Sequence, residues 1–400
     1  MSAATHLHDN IAHGMNGTLV APDWAPLTLE EVRPVLREYS LDGDAVHLLS
    51  ISPRPFSAAS VVATQQGQVF VKRHACTVRD ATGLAEEHRF LAHLRERGVP
   101  VPGVLRTNTG TTSVQVGEWT YEVHQIPLGI DLYAEALSWT PFHSAGHAWS
   151  AGRMLAQVHR AAVDFKAPAR KPQPLVASFT IFAGDSPTVA LDRYLAQHPA
   201  LASYPPIAEC HEEALELLAP YYAQLAPWLD ALPTLWTHND LHGSNLFWSD
   251  SSDAAEAVAI IDFGLADRTN AVYDLAQAID RSIVEWLALT ANRTDTRLPV
   301  PVHLDHLEAM LAGYEEVRPL GHAEAAALAP MTALGHAEFA LSEADYFYGS
   351  LHSAEKAAYA CPLYLCGHAR WFLTPEGQGL LDHLHTWAGR RRRGPDTAFS

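Results

Sequence analysis

At 400 residues, with 48% apolar and 18% charged content, the chain can bury the cores of two lobes, which excludes a disordered or low-complexity protein. A formal net charge of −18 argues against nucleic acid as a partner, because phosphate backbones are held by basic faces. The polar N-terminus lacks a basic start and apolar run, and no apolar stretch is long enough to span a bilayer, so a cytoplasmic location without a membrane partner is expected. The four cysteines form no C-x-x-C pair and read as free thiols in a reducing compartment.

Residues 1–24 read as a loose leader. Leu27, Leu29, Val32, Val35 and Leu36 then recur at helical spacing, and segments 46–51, 60–64 and 68–72 alternate as strands. A helix is expected over 84–97, stopping at Gly98 with Pro100 beyond. Segments 114–116 and 119–126 form a hairpin around Gly117. After Pro127 and Gly129 the pattern becomes helical, over 145–162, 211–229, 274–289, 303–317, 323–340 and 341–358, with breaks or kinks expected at Pro220, Pro227 and Pro330. The expected fold class is α+β. A strand-rich N-lobe at 25–127 precedes a larger helical C-lobe at 128–389 and a basic tail at 390–400, whose arginine run reads as a solvated, frayed end.

The chemistry concentrates in Thr-His-Asn-Asp-Leu-His-Gly-Ser-Asn, residues 237–245, followed by Ile-Ile-Asp-Phe-Gly at 260–264. Asp240 is the candidate base for a hydroxyl, with Asn245 and Asp262 as hard oxygen ligands for Mg²⁺ against a nucleotide's phosphates. The apolar runs 246–248 and 258–261 would hold these ligands at the ends of a short buried hairpin. His238 joins the catalytic set as the residue that fixes the loop, since Asp240 already supplies the base. An alternative, zinc chelated by His238 and His242, meets Asn239 where a zinc protease carries glutamate, in a strand-like context. No G-x-x-x-x-G-K-[ST] and no G-x-G-x-x-G occurs.

Lys72, one of four lysines, ends an apolar strand and needs anions to offset its burial. Glu87 lies on the Leu84/Leu91/Leu94 face of the following helix and is the expected partner, with Glu86 as fallback.

These motifs resemble those of the aminoglycoside phosphotransferase and choline kinase family, small-molecule kinases with a bilobal protein-kinase-like fold. The family's H-G-D-x-H-x-x-N corresponds to residues 238–245, I-D-[FW] to Ile261-Asp262-Phe263, D-L-A to Asp274-Leu275-Ala276, and the helix ending Gly-Val-Pro-Val-Pro to residues 98–102. The resemblance covers about residues 45–290. It implies ATP (or GTP) and Mg²⁺, with adenine against the crossover near the backbone of Val123 to Gln125, and Lys72 on the phosphates. The nucleotide-covering loop should lie near 52–60, yet this stretch holds no glycine and carries Pro53 and Pro55; Ser57 and the amides beside it are expected to cover phosphate.

Only 12 positions separate Asp262 from Asp274, and no Ala-Pro-Glu follows. A protein kinase needs a long activation segment there, so a small hydroxylated acceptor is expected, whether antibiotic, amino alcohol, amino acid or sugar. Glu285 and Asp345 are candidate binders for a cationic acceptor. The alternatives are a non-catalytic, pseudokinase-like module and a protein serine/threonine kinase.

Overall fold

The computed structural model describes residues 22–41, 47–52, 54, 56–184, 186–287 and 300–391. The leader up to residue 21, Pro53, Pro55, the expected helix end at 288–289 and the tail beyond Arg391 lie outside these.

The N-terminal strand patterns form one five-stranded antiparallel sheet in the order β1-β2-β3-β5-β4. Its strands are β1 (His47–Leu48), β2 (Ala58–Thr64), β3 (Gly67–Ala75), β4 (Ser113–Val116) and β5 (Trp119–Gln125). Alternation sorts its two faces. Val62, Val69, Val71, Tyr121 and Val123 form a core with Val32, Val35 and Leu36 of α1 (Leu29–Arg37), a helix started by a Thr28/Glu31 capping box. The opposite face carries Lys72 and Glu122, directly paired across β3 and β5. Helix α2 (Ala81–Glu96) starts three residues earlier than the apolar pattern suggests, because the Asp80 side chain accepts from the Gly83 amide at 2.7 Å.

The crossover is strapped to the second lobe. Ile130 and Trp248 exchange two backbone hydrogen bonds of 2.9 Å, and Gly129 permits the approach with φ +98°, where a Cβ would lie 2.7 Å from the Trp248 carbonyl. Beyond it come α3 (Ala145–Ala162), α4 (Pro187–Gln197), α5 (Ile207–Leu225), α6 (Ala271–Ile283), α7 (Leu304–Val317), α8 (His322–Leu334), α9 (His336–Asp345), α10 (Cys366–Trp371) and α11 (Pro375–Arg391). Two short antiparallel pairs, β6 (Thr234–Thr237) with β9 (Asp267–Asn270) and β7 (Leu246–Trp248) with β8 (Ala257–Ile260), are set among them. The second is the expected hairpin. Helices α3 and α7 nearly touch by backbone: a Cβ on Gly152 would meet the Met310 carbonyl at 2.1 Å, and one on Gly313 the Trp149 carbonyl at 2.0 Å.

Several expected helices differ in their limits. Pro220 and Pro330 sit inside α5 and α8 without ending them; the break comes at Gly335, and Pro227 opens a 3₁₀ turn. The pattern over 341–358 is interrupted by π-helical residues Tyr346–Ser350. The basic run is not simply solvated where it is described: Arg390 pairs with Glu308 at 2.9 Å and Arg391 with Glu315. The end of the leader is docked as well, Trp24 donating to the Tyr346 hydroxyl at 3.0 Å and Asp23 pairing with Lys356 at 2.5 Å. Among the described residues no helix is long and apolar enough to cross a membrane.

Candidate active site

The candidate catalytic loop leaves β6 and is held from below by one carboxylate. Asp274, in the first turn of α6 and fully buried, accepts from the backbone amides of His238 (2.7 Å) and Asn239 (2.8 Å) and from His159 Nε2 (2.9 Å). Burial acts to raise its pKa, but His159 and the backbone donors hold it below the usual carboxylate range. Asn239 can therefore adopt φ +64°, a conformation that asparagine tolerates, and it turns Asp240 toward the cleft.

His238 fixes the loop through both ring nitrogens. Nε2 lies 2.9 Å from the Ile261 carbonyl, and the Asp240 amide donates to Nδ1 at 3.1 Å, which selects the neutral Nε2–H tautomer. With both nitrogens held by backbone groups, His238 serves the loop, which speaks against the zinc pairing with His242. Asp240 itself is surrounded. Arg281 Nη1 lies 2.5 Å from Oδ1, and the Asn245 amide nitrogen lies 3.0 Å from Oδ2 and 2.8 Å from the Asp240 carbonyl. Burial pushes the Asp240 carboxyl above its ordinary range, and the Arg281 guanidinium opposes that shift. Directing its NH₂ at Asp240 turns the Asn245 amide oxygen the other way, free of that contact.

Asp262 follows β8 at φ +60°, an unfavourable conformation for an aspartate that concentrates at functional sites. Its Oδ1 lies 3.1 Å from Lys72 Nζ, so a β3 ammonium meets the carboxylate of Asp-Phe-Gly across the cleft. Burial would raise the Asp262 pKa, yet Lys72 carries it down to about 2. For Lys72, burial disfavours the charge, but Asp262, Glu122 and Glu87 together move the pKa above its ordinary value.

The expected Lys72–Glu87 ion pair is not formed. Glu87 is buried, and its carboxylate lies 3.8 Å from Arg170 Nη2; Glu86 lies 3.8 Å from Arg170 Nε. Arg170 also donates to the carbonyls of Gly83 (2.9 Å), Gly264 (3.1 Å) and Ala266 (3.1 Å), and Arg79 donates to Gly264 at 2.7 Å. Two arginines thus occupy the space between α2 and Asp-Phe-Gly, and Glu87 answers their charge.

At the crossover, the backbone from Val123 to Gln125 is partly engaged within the N-lobe. The Val123 side chain belongs to the outer core with α1, its carbonyl accepts from Leu105 N–H at 2.8 Å, and the Gln125 amide donates to Gly103 at 2.8 Å. The 103–105 segment thus engages one backbone group of each residue, and the Val123 carbonyl keeps a second lone pair. Ser57 is buried at the start of β2. Asp345 is committed to structure, with His198 Nδ1 at 2.9 Å and the Leu201 amide at 3.2 Å, and Glu285 pairs with His303 at 2.7 Å.

The model of the phosphotransferase enzyme family matches residues 56–320, a span that contains Lys72, the catalytic loop, Asp262 and Asp274. The chain belongs to that family. No protein among the curated sequences matches it. Solved structures place its fold. A microcompartment-associated aminopropanol kinase is 20% identical, with a TM-score of 0.57 over 88% of this chain and 99% of its own. An aminoglycoside phosphotransferase from Alicyclobacillus acidocaldarius is 16% identical, with a TM-score of 0.52 over 92% and 98%. An amicoumacin kinase in complex with AMP-PNP, Ca²⁺ and Ami is 13% identical, with a TM-score of 0.50 over 89% and 91%. The fold is thus the bilobal, α+β, protein-kinase-like one of this family.

Sequence reasoning missed three residues. Arg281 and His159 carry no motif, and each shares its helix with several other polar residues, so sequence does not single it out. Arg54 sits in the glycine-free loop; its Nη1 donates to the Ala136 carbonyl (3.2 Å) and Ser138 hydroxyl (3.1 Å), and its charge acts on Asp131, Asp262 and Asp240. The missing glycines were a signal, since a loop that does not cover phosphate by bare backbone needs another donor.

Proposed function

We propose that the chain transfers the γ-phosphoryl group of ATP to a hydroxyl of a small molecule in the presence of Mg²⁺. One observation carries this reading: the Lys72 ammonium meets the Asp262 carboxylate at 3.1 Å beside a loop that presents Asp240 and Asn245. Four residues separated by up to 190 positions thereby converge on one cleft. Phosphoryl transfer is mainly positioning and charge stabilisation, and this set supplies both.

Lys72 orients the nucleotide phosphates, and its bond to Asp262 fixes where it points. The Asp262 carboxylate and the Asn245 amide oxygen are hard oxygen donors and fit magnesium, which would neutralise charge between the phosphates. Asp240 accepts the hydroxyl proton, late in the transfer, while Arg281 keeps its carboxylate ionised. His238 and Asp274 hold the loop. Arg54 brings a guanidinium over the phosphates in place of loop amides, with Ser57 beside it. Adenine sits against the crossover, with backbone contacts around Val123 to Gln125. The short interval to Asp274 favours a metabolite or antibiotic over a peptide, and the solved aminopropanol, aminoglycoside and amicoumacin kinases of this fold are consistent with that class.

An ADP-release assay with ATP and Mg²⁺ over amino alcohols, aminoglycosides and other antibiotics, amino acids and sugars tests the reading. Acceptor-dependent ADP that disappears in Asp240→Ala supports it. The Arg281–Asp240 pair favours a second reading, a nucleotide-binding module whose base is sequestered. Nucleotide binding without ADP release for any acceptor would establish that one instead.

A further inference from the structure

A second group of chemically capable side chains stands on the inner face of the sheet. Phe70, Lys72 and His74 of β3 lie opposite His124, Glu122 and Thr120 of β5. Period-two alternation therefore puts His74, Glu122 and His124 on the face that carries Lys72. Helix α2 adds His88 to it. The Nε2 atoms of His88 and His124 each lie 2.7 Å from Glu122 Oε2, and His74 Nε2 lies 2.8 Å from Oε1. One donor atom each from His88, Glu122 and His124 lies within 4.8 Å of the others. Glu122 and His88 are almost fully buried, and the His124 side chain is 12% exposed.

We propose that His88, Glu122 and His124 bind one borderline-soft divalent metal ion of the zinc type, separate from the Asp240/Asp262 centre. Two imidazoles and a carboxylate are a zinc donor set that leaves a further coordination position open. Imidazole nitrogen also suits zinc far better than magnesium, so the cluster does not compete for the ion that Asp262 and Asn245 attract. His74 supplies the outer partner, holding the second carboxylate oxygen and so fixing the orientation of the first. Zinc–ligand bonds of about 2.0–2.2 Å set tetrahedral donors roughly 3.4 Å apart, so both rings draw back from Glu122 by about 0.7 Å on loading. Each coordinating ring stays neutral and carries its proton on Nδ1, so the metal takes the place of the Nε2 hydrogen bond to Glu122, and protons compete with the metal for the rings toward acid pH. Since Glu122 stands opposite Lys72, loading draws that carboxylate's charge away from the ammonium and ties metal occupancy to the nucleotide side of the cleft. The site stands on its own donors and is independent of which acceptor, if any, the chain phosphorylates.

The full chain is stripped with chelator, then dialysed against zinc and, separately, against cobalt(II). About one zinc bound per chain is expected, with a raised melting temperature, while His88→Asn and His124→Asn each weaken zinc affinity by at least ~10-fold. Cobalt should give visible absorption bands of low-coordinate N/O ligation in the unmodified protein, a readout that needs no variant to fold. No retained zinc and no such bands would overturn the proposal. So would undiminished zinc binding in both folded variants, which would put the ion elsewhere, for instance at His303 and His306.

Discussion

Arg281 Nη1 lies 2.5 Å from Asp240 Oδ1, with the arginine side chain fully buried beneath the catalytic loop. The proposed base is thus presented with its counter-charge built in, and the same guanidinium lies 4.7 Å from the Phe339 ring centroid, which keeps water from it.

Removing that cation leaves a buried carboxylate unpaired. Arg281→Ala should cost about 3–5 kcal/mol of stability, with a smaller loss for Arg281→Lys. Burial already raises the Asp240 pKa, and loss of Arg281 raises it further, so the acid limb of kcat/KM moves to higher pH. Denaturant melts and pH–rate profiles check both. A folded R281A protein with an unmoved acid limb would separate Arg281 from the chemistry.

Asp240 and Asp262 act as one unit in the proposed transfer. Asp240→Ala should lower kcat by roughly 10²–10⁴, Asp262→Asn by a similar factor, and the double variant by much less than the product. Single-turnover rates with a confirmed acceptor decide this. Independent, multiplicative losses would mean the two carboxylates serve different steps.

Asp262 should also mark the acid stability of the fold. Its pKa falls from 3.8 to about 2 beside Lys72, so the stabilisation is fully present above 3.8 and is lost as pH falls toward 2. Asp262→Asn should therefore flatten the stability curve across that window and leave its shape near neutrality unchanged. Melting temperatures measured from pH 5 downward provide the comparison.

Lys72 and Glu87 should separate in function, because Lys72 meets Asp262 while Glu87 faces Arg170. Lys72→Ala is expected to weaken nucleotide binding by roughly 10–100-fold, the worth of a charge-assisted contact. Glu87→Gln should change it less than about 3-fold and act mainly on melting temperature. Titration with a fluorescent nucleotide distinguishes them, and equal losses would restore the Lys72–Glu87 pair as the working one.

Arg54 is expected to matter for the phosphates. Replacing it by alanine should lower kcat/KM for ATP by roughly 10–100-fold, with partial recovery in Arg54→Lys because the fork geometry is lost. Steady-state kinetics on ATP test it. An effect below about 2-fold would return phosphate covering to the backbone amides near Ser57.

The legible part of this protein was local. The Leu246–Trp248 and Ala257–Ile260 hairpin, the inward face of α2 and the spacing of Asp240, Asn245, Asp262 and Asp274 all follow from short-range pattern, since alternation and helical period are properties of a few successive residues. Helix limits were less legible. The Asp80 cap, the break at Gly335 and the π-helical residues after Asp345 depend on single side-chain contacts or on neighbouring helices.

The order of residues along the chain was enough to point to the phosphotransferase family, because its motifs place particular donors at particular intervals. Whether two distant charges meet is a different matter. Glu87 lay on the right helix face, yet Arg170, 83 positions later, reached its carboxylate, and Lys72 found Asp262 instead. Arg281 paired with Asp240 and Arg54 bonded to Ala136 and Ser138 likewise belong to no motif. A buried charge takes whichever partner packing brings within reach, and only the folded chain selects it.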